Sequence, residues 1–186
     1  MNLWLRLIWY ILTAWRRPKI VVPEGVSRLR FRVLPTDVDT SMHLNNGRYL
    51  ALMDIGRLDV MVSSGLWRAI LRHKWTPIAS AIKIRFRREI RPFQRFEIAT
   101  RIVAWDETTV VMEQLFTFVG GTKDGQVAAQ ALFKGGLYDR ANSMFVPISR
   151  LLRETGVNAQ SPPQAPEVTA FLVAEDELKR AQHQQN

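Results

Sequence analysis

The chain contains no cysteine, which excludes disulfides, thiolate nucleophiles and Cys-ligated metal centres but leaves the redox compartment open. Histidine is nearly as scarce. The three present are scattered along the sequence, without the paired spacing of a zinc site, and no metal is expected. The apolar opening segment, MNLWLRLIWYILTAW, falls short of the roughly twenty residues needed to cross a bilayer and carries Arg6 in its interior. It also lacks the layout of a secretory leader, since its basic residues Arg16, Arg17 and Lys19 follow the apolar run instead of preceding it. No internal repeat is apparent. What remains is ordinary globular material: 186 residues, 47% hydrophobic and 23% charged, suit one domain with tails. The balance of 26 Lys and Arg against 17 Asp and Glu gives a net charge of +9 and predicts an anionic partner. A phosphate-bearing ligand, nucleic acid and an anionic membrane all satisfy that charge, which acts at long range and does not choose among them.

The opening segment is apolar almost all round and must be buried somewhere. Trp4, Trp9, Tyr10 and Trp15, followed by the basic cluster, suit a helix lying in a membrane interface beside anionic lipid through residues 1–19. Packing on the domain or on a second subunit satisfies the same pattern, and both readings stay open. Pro18, Pro23 and Gly25 close this segment, taken as residues 1–22.

Alternation of Leu29, Phe31 and Val33 with Arg28, Arg30 and Arg32 then predicts a strand. A polar loop follows, and residues 48–62, free of proline and apolar on more than one stripe, predict a core helix. Period-two patterns return at Ile82, Ile84 and Phe86, at Phe96 to Ile102, at Val110 to Phe118 and at Val127 to Tyr138, separated by short polar or glycine-rich reversals. One strand, one long helix and a four-strand meander make an α+β layer, a five-stranded antiparallel sheet around a central helix. The domain is expected over residues 26–153. A Pro-containing linker and tail, with a short appended helix, take 154–186.

Chemistry concentrates in PTDVDTSMHLNNGRYL, where two carboxylates, a histidine and two side-chain amides precede the helix. The helix start offers unpaired N–H groups and a positive dipole end, suited to a polarised thioester carbonyl or an oxyanion. The same residues read equally as capping: Asn45, Asn46 or Asp39 can close the helix, and a lone His43 is commonly structural.

The stretch TDVDTSMHLNNGRY resembles the signature of 4-hydroxybenzoyl-CoA-type thioesterases of the hot-dog superfamily, T-D-x-D-x-x-G-H-x-N-N-x-x-Y, matching at Thr36, Asp37, Asp39, His43, Asn45, Asn46 and Tyr49. The later IKIRFRREIRPFQRFEIATRIVAWDETTVVMEQLF is similar to the family's strand region. Within the superfamily the chain most closely resembles the thioesterase superfamily member 6 group. The resemblance implies a hot-dog fold with the apolar N-terminal helix added, and an acyl-CoA substrate. It implies no cofactor beyond the coenzyme A of that substrate, and a homodimer or larger homo-oligomer. It implies Asp39 as the carboxylate that attacks the thioester or activates water, with His43 and Asn46 orienting it. Asp37 would hold the loop at the substrate, and Tyr49 would line the acyl pocket. Met42 stands where the family has glycine and is expected to reshape that pocket. Lys83, Arg85, Arg87 and Arg88 are the expected landing surface for coenzyme A phosphates. The alternative function is a non-catalytic acyl-CoA or lipid binder at a membrane surface, and the expected location is cytoplasmic, peripheral on a membrane. Nucleic-acid binding is disfavoured, because it would follow from the net charge alone and the basic stretches are not expected to carry interleaved exposed aromatics or a known motif.

Overall fold

A computed structural model describes residues 2–183. The chain opens with helix α1, Asn2–Thr13, extended by a single 3-10 turn, Ala14–Arg16. Strand β1, Val26–Arg32, follows, and its alternation is the expected one: Ser27 and Leu29 are buried while Arg28, Arg30 and Arg32 face water. Helix α2, Asn46–Ser63, begins where the Asn45 Oδ1 accepts the Gly47 N–H at 2.9 Å, satisfying one of the orphan donors of the first turn.

Four long strands come next: β2 Thr76–Phe86, β3 Arg95–Trp105, β4 Thr109–Phe118 and β5 Val127–Asp139, with a two-residue β6, Met144–Phe145. They form one antiparallel sheet with β1, in the order β1-β3-β4-β5-β2, and β6 pairs with β5. The sheet curls around α2, whose Tyr49, Leu52, Met53 and Ile55 pack against Phe96, Ile98 and Phe116. Gly56 permits the close approach. A Cβ there would fall 2.6 Å from the Thr100 Oγ1 and 2.8 Å from the Gln114 Nε2, and both of those residues are fully buried.

Two short helices are additions that no sequence pattern announced. Helix α3, Leu66–His73, and α4, Ile148–Thr155, pack on each other at the end of α2, with Leu66, Ile70, Trp75, Leu137 and Leu151 as a second core. Both are one-sided and too short to show a sustained period. The C-terminal segment carries the appended helix α5, Pro166–His183. It is no free tail: Val168 and Phe171 are buried against Ala104, Val111 and Leu132 on the sheet face opposite α2.

The two sheet edges differ. At β1 the carbonyls of Arg28 and Arg32 are taken by the guanidinium groups of Arg17 and Arg6. The other edge, β2, runs eleven residues with none buried.

Candidate active site

The loop between β1 and α2 is built around two carboxylates with opposite fates. Asp37 is only 2% exposed. Its Oδ2 accepts from the Arg6 Nη2 at 2.5 Å and from the Leu34 N–H at 2.9 Å, and its backbone carbonyl accepts the Asn45 N–H at 2.9 Å. Asp37 therefore locks the loop to α1 and to the start of α2. The Arg48 Nε lies 3.9 Å from its other oxygen, Oδ1.

Asp39 takes the other course. Its side chain is about one quarter exposed, with Oδ2 3.4 Å from the His43 Nδ1 and Oδ1 accepting the Ser41 N–H at 2.9 Å. The Met42 N–H donates to the Asp39 carbonyl at 3.1 Å and the Asp39 N–H to the His43 carbonyl at 3.1 Å, closing a tight reversal beneath the Val38 and Leu44 bridge. A turn of this kind, followed by one residue in the left-handed region, is a common three-residue hairpin closure. Met42 occupies that left-handed position, with φ of 59°. The glycine of the family pattern thus answers a backbone requirement. The Met42 side chain is 62% exposed, so the substitution bears on the turn.

The helix cap is Asn45 and not Asp39, which leaves the Asp39 carboxylate available. Asn46 is the first residue of α2 and is exposed. Tyr49, one turn on, is buried between Phe86 and Phe116, each 5.0 Å away ring to ring, and burial pushes its phenol up to about 12.

The four expected cations are not brought together with the loop as a set. Phe86 meets Tyr49 and Ile84 packs on the α2 core, so by strand alternation Lys83, Arg85 and Arg87 project from the opposite face. Arg88 lies in the segment leaving β2, where the Ile90 carbonyl accepts the Leu44 N–H at 2.8 Å. Arg88 and Arg91 flank Ile90 in that segment; the Arg88 Nη1 donates to the Val127 carbonyl at 2.8 Å and the Arg91 Nη2 lies 3.6 Å from the Glu89 Oε2.

Sequence reasoning missed three features. Arg6 is the partly buried clamp on Asp37, and its only signal was being a lone charge in an apolar helix. Asp54 and Arg57 lie on one flank of α2, where they line an apolar cavity of about 230 Å³ together with Met61, Ile70, Ile78 and Phe133. None of Asp39, His43 and Asn46 lines it. Asp54 stands eight residues into the helix, roughly 12 Å along its axis from Asn46. The Arg57 guanidinium pairs with Asp54, donates to the Gln114 Oε1 at 2.9 Å and lies 4.1 Å over the Phe133 ring. Burial pulls it below its ordinary value, opposed by Asp54.

Comparison with known proteins places these features in context. The model of the thioesterase-like superfamily matches residues 33–172. The protein named THEM6 in Xenopus laevis is 37% identical over 97 residues, covering 52% of this chain and 45% of that one. Its Drosophila melanogaster namesake is 30% identical over 139 residues, covering 74% and 67%. The chain therefore matches less than half the length of the Xenopus relative and about two thirds of the Drosophila one. Among solved structures, YbaW, a probable thioesterase from Escherichia coli, superposes with a TM-score of 0.62 at 23% identity, covering 69% of this chain and 94% of that one.

Proposed function

The chain belongs to the thioesterase-like superfamily, and on that premise we propose that it is an acyl-CoA thioesterase whose reacting carboxylate is Asp39. The observation that carries this reading is the Asp39 carboxylate itself: partly exposed, held by the Ser41 N–H and His43, and not used as the cap of the helix that starts beside it. As general base, Asp39 takes a proton from water while the water oxygen bonds to the thioester carbonyl carbon. Donors at the start of α2 stabilise the oxyanion. Collapse of the tetrahedral intermediate breaks the C–S bond, and the proton passes from Asp39 to the leaving thiolate, releasing free coenzyme A and a carboxylic acid. His43 holds the carboxylate oriented, and Asn46 is near enough in sequence to position the water. The acyl group lies along α2 toward the cavity at Asp54, Arg57 and Met61. The phosphates of coenzyme A fall to Arg88 and Arg91 beside the loop, in preference to Lys83, Arg85 and Arg87 on the far face. A second copy of the chain pairs along the open β2 edge.

Thiol release from acyl-CoAs of graded length tests the reading. Wild type releases thiol, and Asp39→Asn lowers kcat by roughly 10²- to 10⁴-fold with an unchanged thermal midpoint. Saturable acyl-CoA binding without thiol release would replace the hydrolase with the non-catalytic binder.

A further inference from the structure

Helix α1 is apolar on both of its faces, where a water-exposed surface helix has one polar face. Its inner face, spaced at three and four residues, is the docked one: Leu3 and Ala14 pack on the core, Tyr10 is buried with its hydroxyl donating to the Asp59 Oδ1 at 3.0 Å, and Arg6 reaches Asp37. The outer face presents Trp4, Leu5, Ile8, Trp9, Leu12 and, just beyond, Trp15, each between 51% and 76% exposed. Together they open on the order of 1,000 Å² of apolar surface, against about 300–600 Å² for the largest patch of a typical monomer.

Charge selects what covers it. Residues 1–23 contain Arg6, Arg16, Arg17 and Lys19 and no acidic residue. Arg6 and Arg17 are spent inward on Asp37 and Asp59. Arg16 and Lys19 are exposed at the C-terminal end of the patch, with no carboxylate partner among the described residues. A second copy seated through the same segment would bring no acid of that segment to meet them. Indole rings beside an apolar face, ending in cations without a carboxylate partner, one of them Arg16 stacked 4.7 Å over the Trp15 ring, are the chemistry of a helix lying at the boundary of acyl chains and anionic headgroups. At twelve residues, about 18 Å, α1 is too short to cross the hydrocarbon; no described helix is long and apolar enough to do so.

We propose that the outer face of α1 seats on an anionic phospholipid surface, its helix axis in the plane of the interface and Arg16 and Lys19 against lipid phosphates. The packing and membrane readings of this segment are then both satisfied, one by each face. This inference stands whether or not the chain hydrolyses thioesters. Through Arg6 and Asp37 the seated helix is also tied to the loop that carries Asp39.

Vesicle sedimentation of the full chain tests it, with phosphatidylcholine alone and phosphatidylcholine mixed with phosphatidylglycerol. Wild type pellets with the mixed vesicles, less so at high salt, and its indole emission shifts to the blue. Trp4→Ser/Trp9→Ser and Arg16→Glu/Lys19→Glu each lower partition roughly tenfold or more. All four positions are exposed, so both variants keep the wild-type thermal midpoint. Wild type remaining in the supernatant with both vesicles overturns the proposal, as does a Trp4→Ser/Trp9→Ser variant that pellets like wild type. A fall in mass of that variant by light scattering, with no vesicle binding by wild type, overturns it in favour of a second copy on this face.

Discussion

At the scale of single residues, the loop holds its shape at a measurable cost. Met42 sits at φ of 59° with its side chain in water, so it bears the left-handed penalty without packing in return. Met42→Gly removes that strain and loses some of the gain to a freer unfolded chain. The net expectation is a stabilisation of about 0.5–1 kcal/mol, read as a raised urea midpoint at unchanged slope; a lowered midpoint would refute the strain. Two tyrosines set the alkaline limit. Burial, then the Asp59 charge and hydrogen bond, raise the Tyr10 phenol well above its ordinary range, and burial raises Tyr49 to about 12. Each phenol keeps its proton longer in the folded state than in the unfolded one. The stability linked to them is therefore complete below about pH 10, where unfolded tyrosine begins to ionise, and is lost as pH climbs toward the folded values. Tyr49→Phe removes a hydroxyl for which no protein partner is seen among the described residues. Its urea midpoint should hold between pH 10 and 11.5 better than wild type does. Parallel decline of the two proteins would remove Tyr49 from the account.

At the scale of elements, the sheet and its helix meet through a polar seam as well as an apolar one. Gln114, fully buried on β4, donates to the Met53 carbonyl at 3.0 Å and the Thr100 Oγ1 at 3.0 Å, and accepts from Arg57. Gly56 lies on this seam. Adding one methyl as Gly56→Ala presses on the Thr100 hydroxyl and the Gln114 amide and should destabilise by about 1–3 kcal/mol despite alanine's better helix propensity. A thermal midpoint at or above wild type would mean that the helix can back away freely. Such a seam is invisible in sequence, because Gln114 and Thr100 fall into register only once β3 and β4 pair. What sequence does carry is local periodicity. The alternation at Leu29 and Phe31, the proline-free run after Arg48 and the reversals near Asp106 and Gly120 were enough to place β1, α2 and β3 to β5. It ran late at β2, which starts at Thr76 ahead of Pro77, because an edge strand buried on neither face has little pattern to display. The site divides in the same way. The candidates Asp39 and His43, and the choice of cap among Asn45, Asn46 and Asp39, were legible as a contiguous stretch, while the assignment of the cap to Asn45 took the fold. The roles of Arg6 and Arg57 depend on partners 31 and 57 residues away.

At the scale of the whole molecule, the two edges of one sheet differ in how they are covered, and the proposed pairing of copies is assigned to the open one. Arg6 and Arg17 of the N-terminal segment occupy carbonyls of β1 and close that edge, and α5 covers part of the sheet face opposite α2. The β2 edge has neither protection. Eleven residues long and without a buried position, it leaves Ile82 partly exposed and offers a row of backbone groups on which a further strand can pair. Lys83 and Arg85 alternate along it, so two antiparallel β2 strands must be offset to keep like charges from standing directly opposite. The flank of α2 bearing Asp54 and Arg57 shares its cavity with Pro77, Ile78 and Ala79 of this strand. A partner chain joined there would roof the cavity and shield the acyl group from water. Ile82→Lys should therefore give a folded monomer by light scattering, with thiol release reduced chiefly through a higher KM. A variant that stays dimeric would move the interface away from β2. One that becomes monomeric with undiminished kcat/KM would show that each chain carries a complete site.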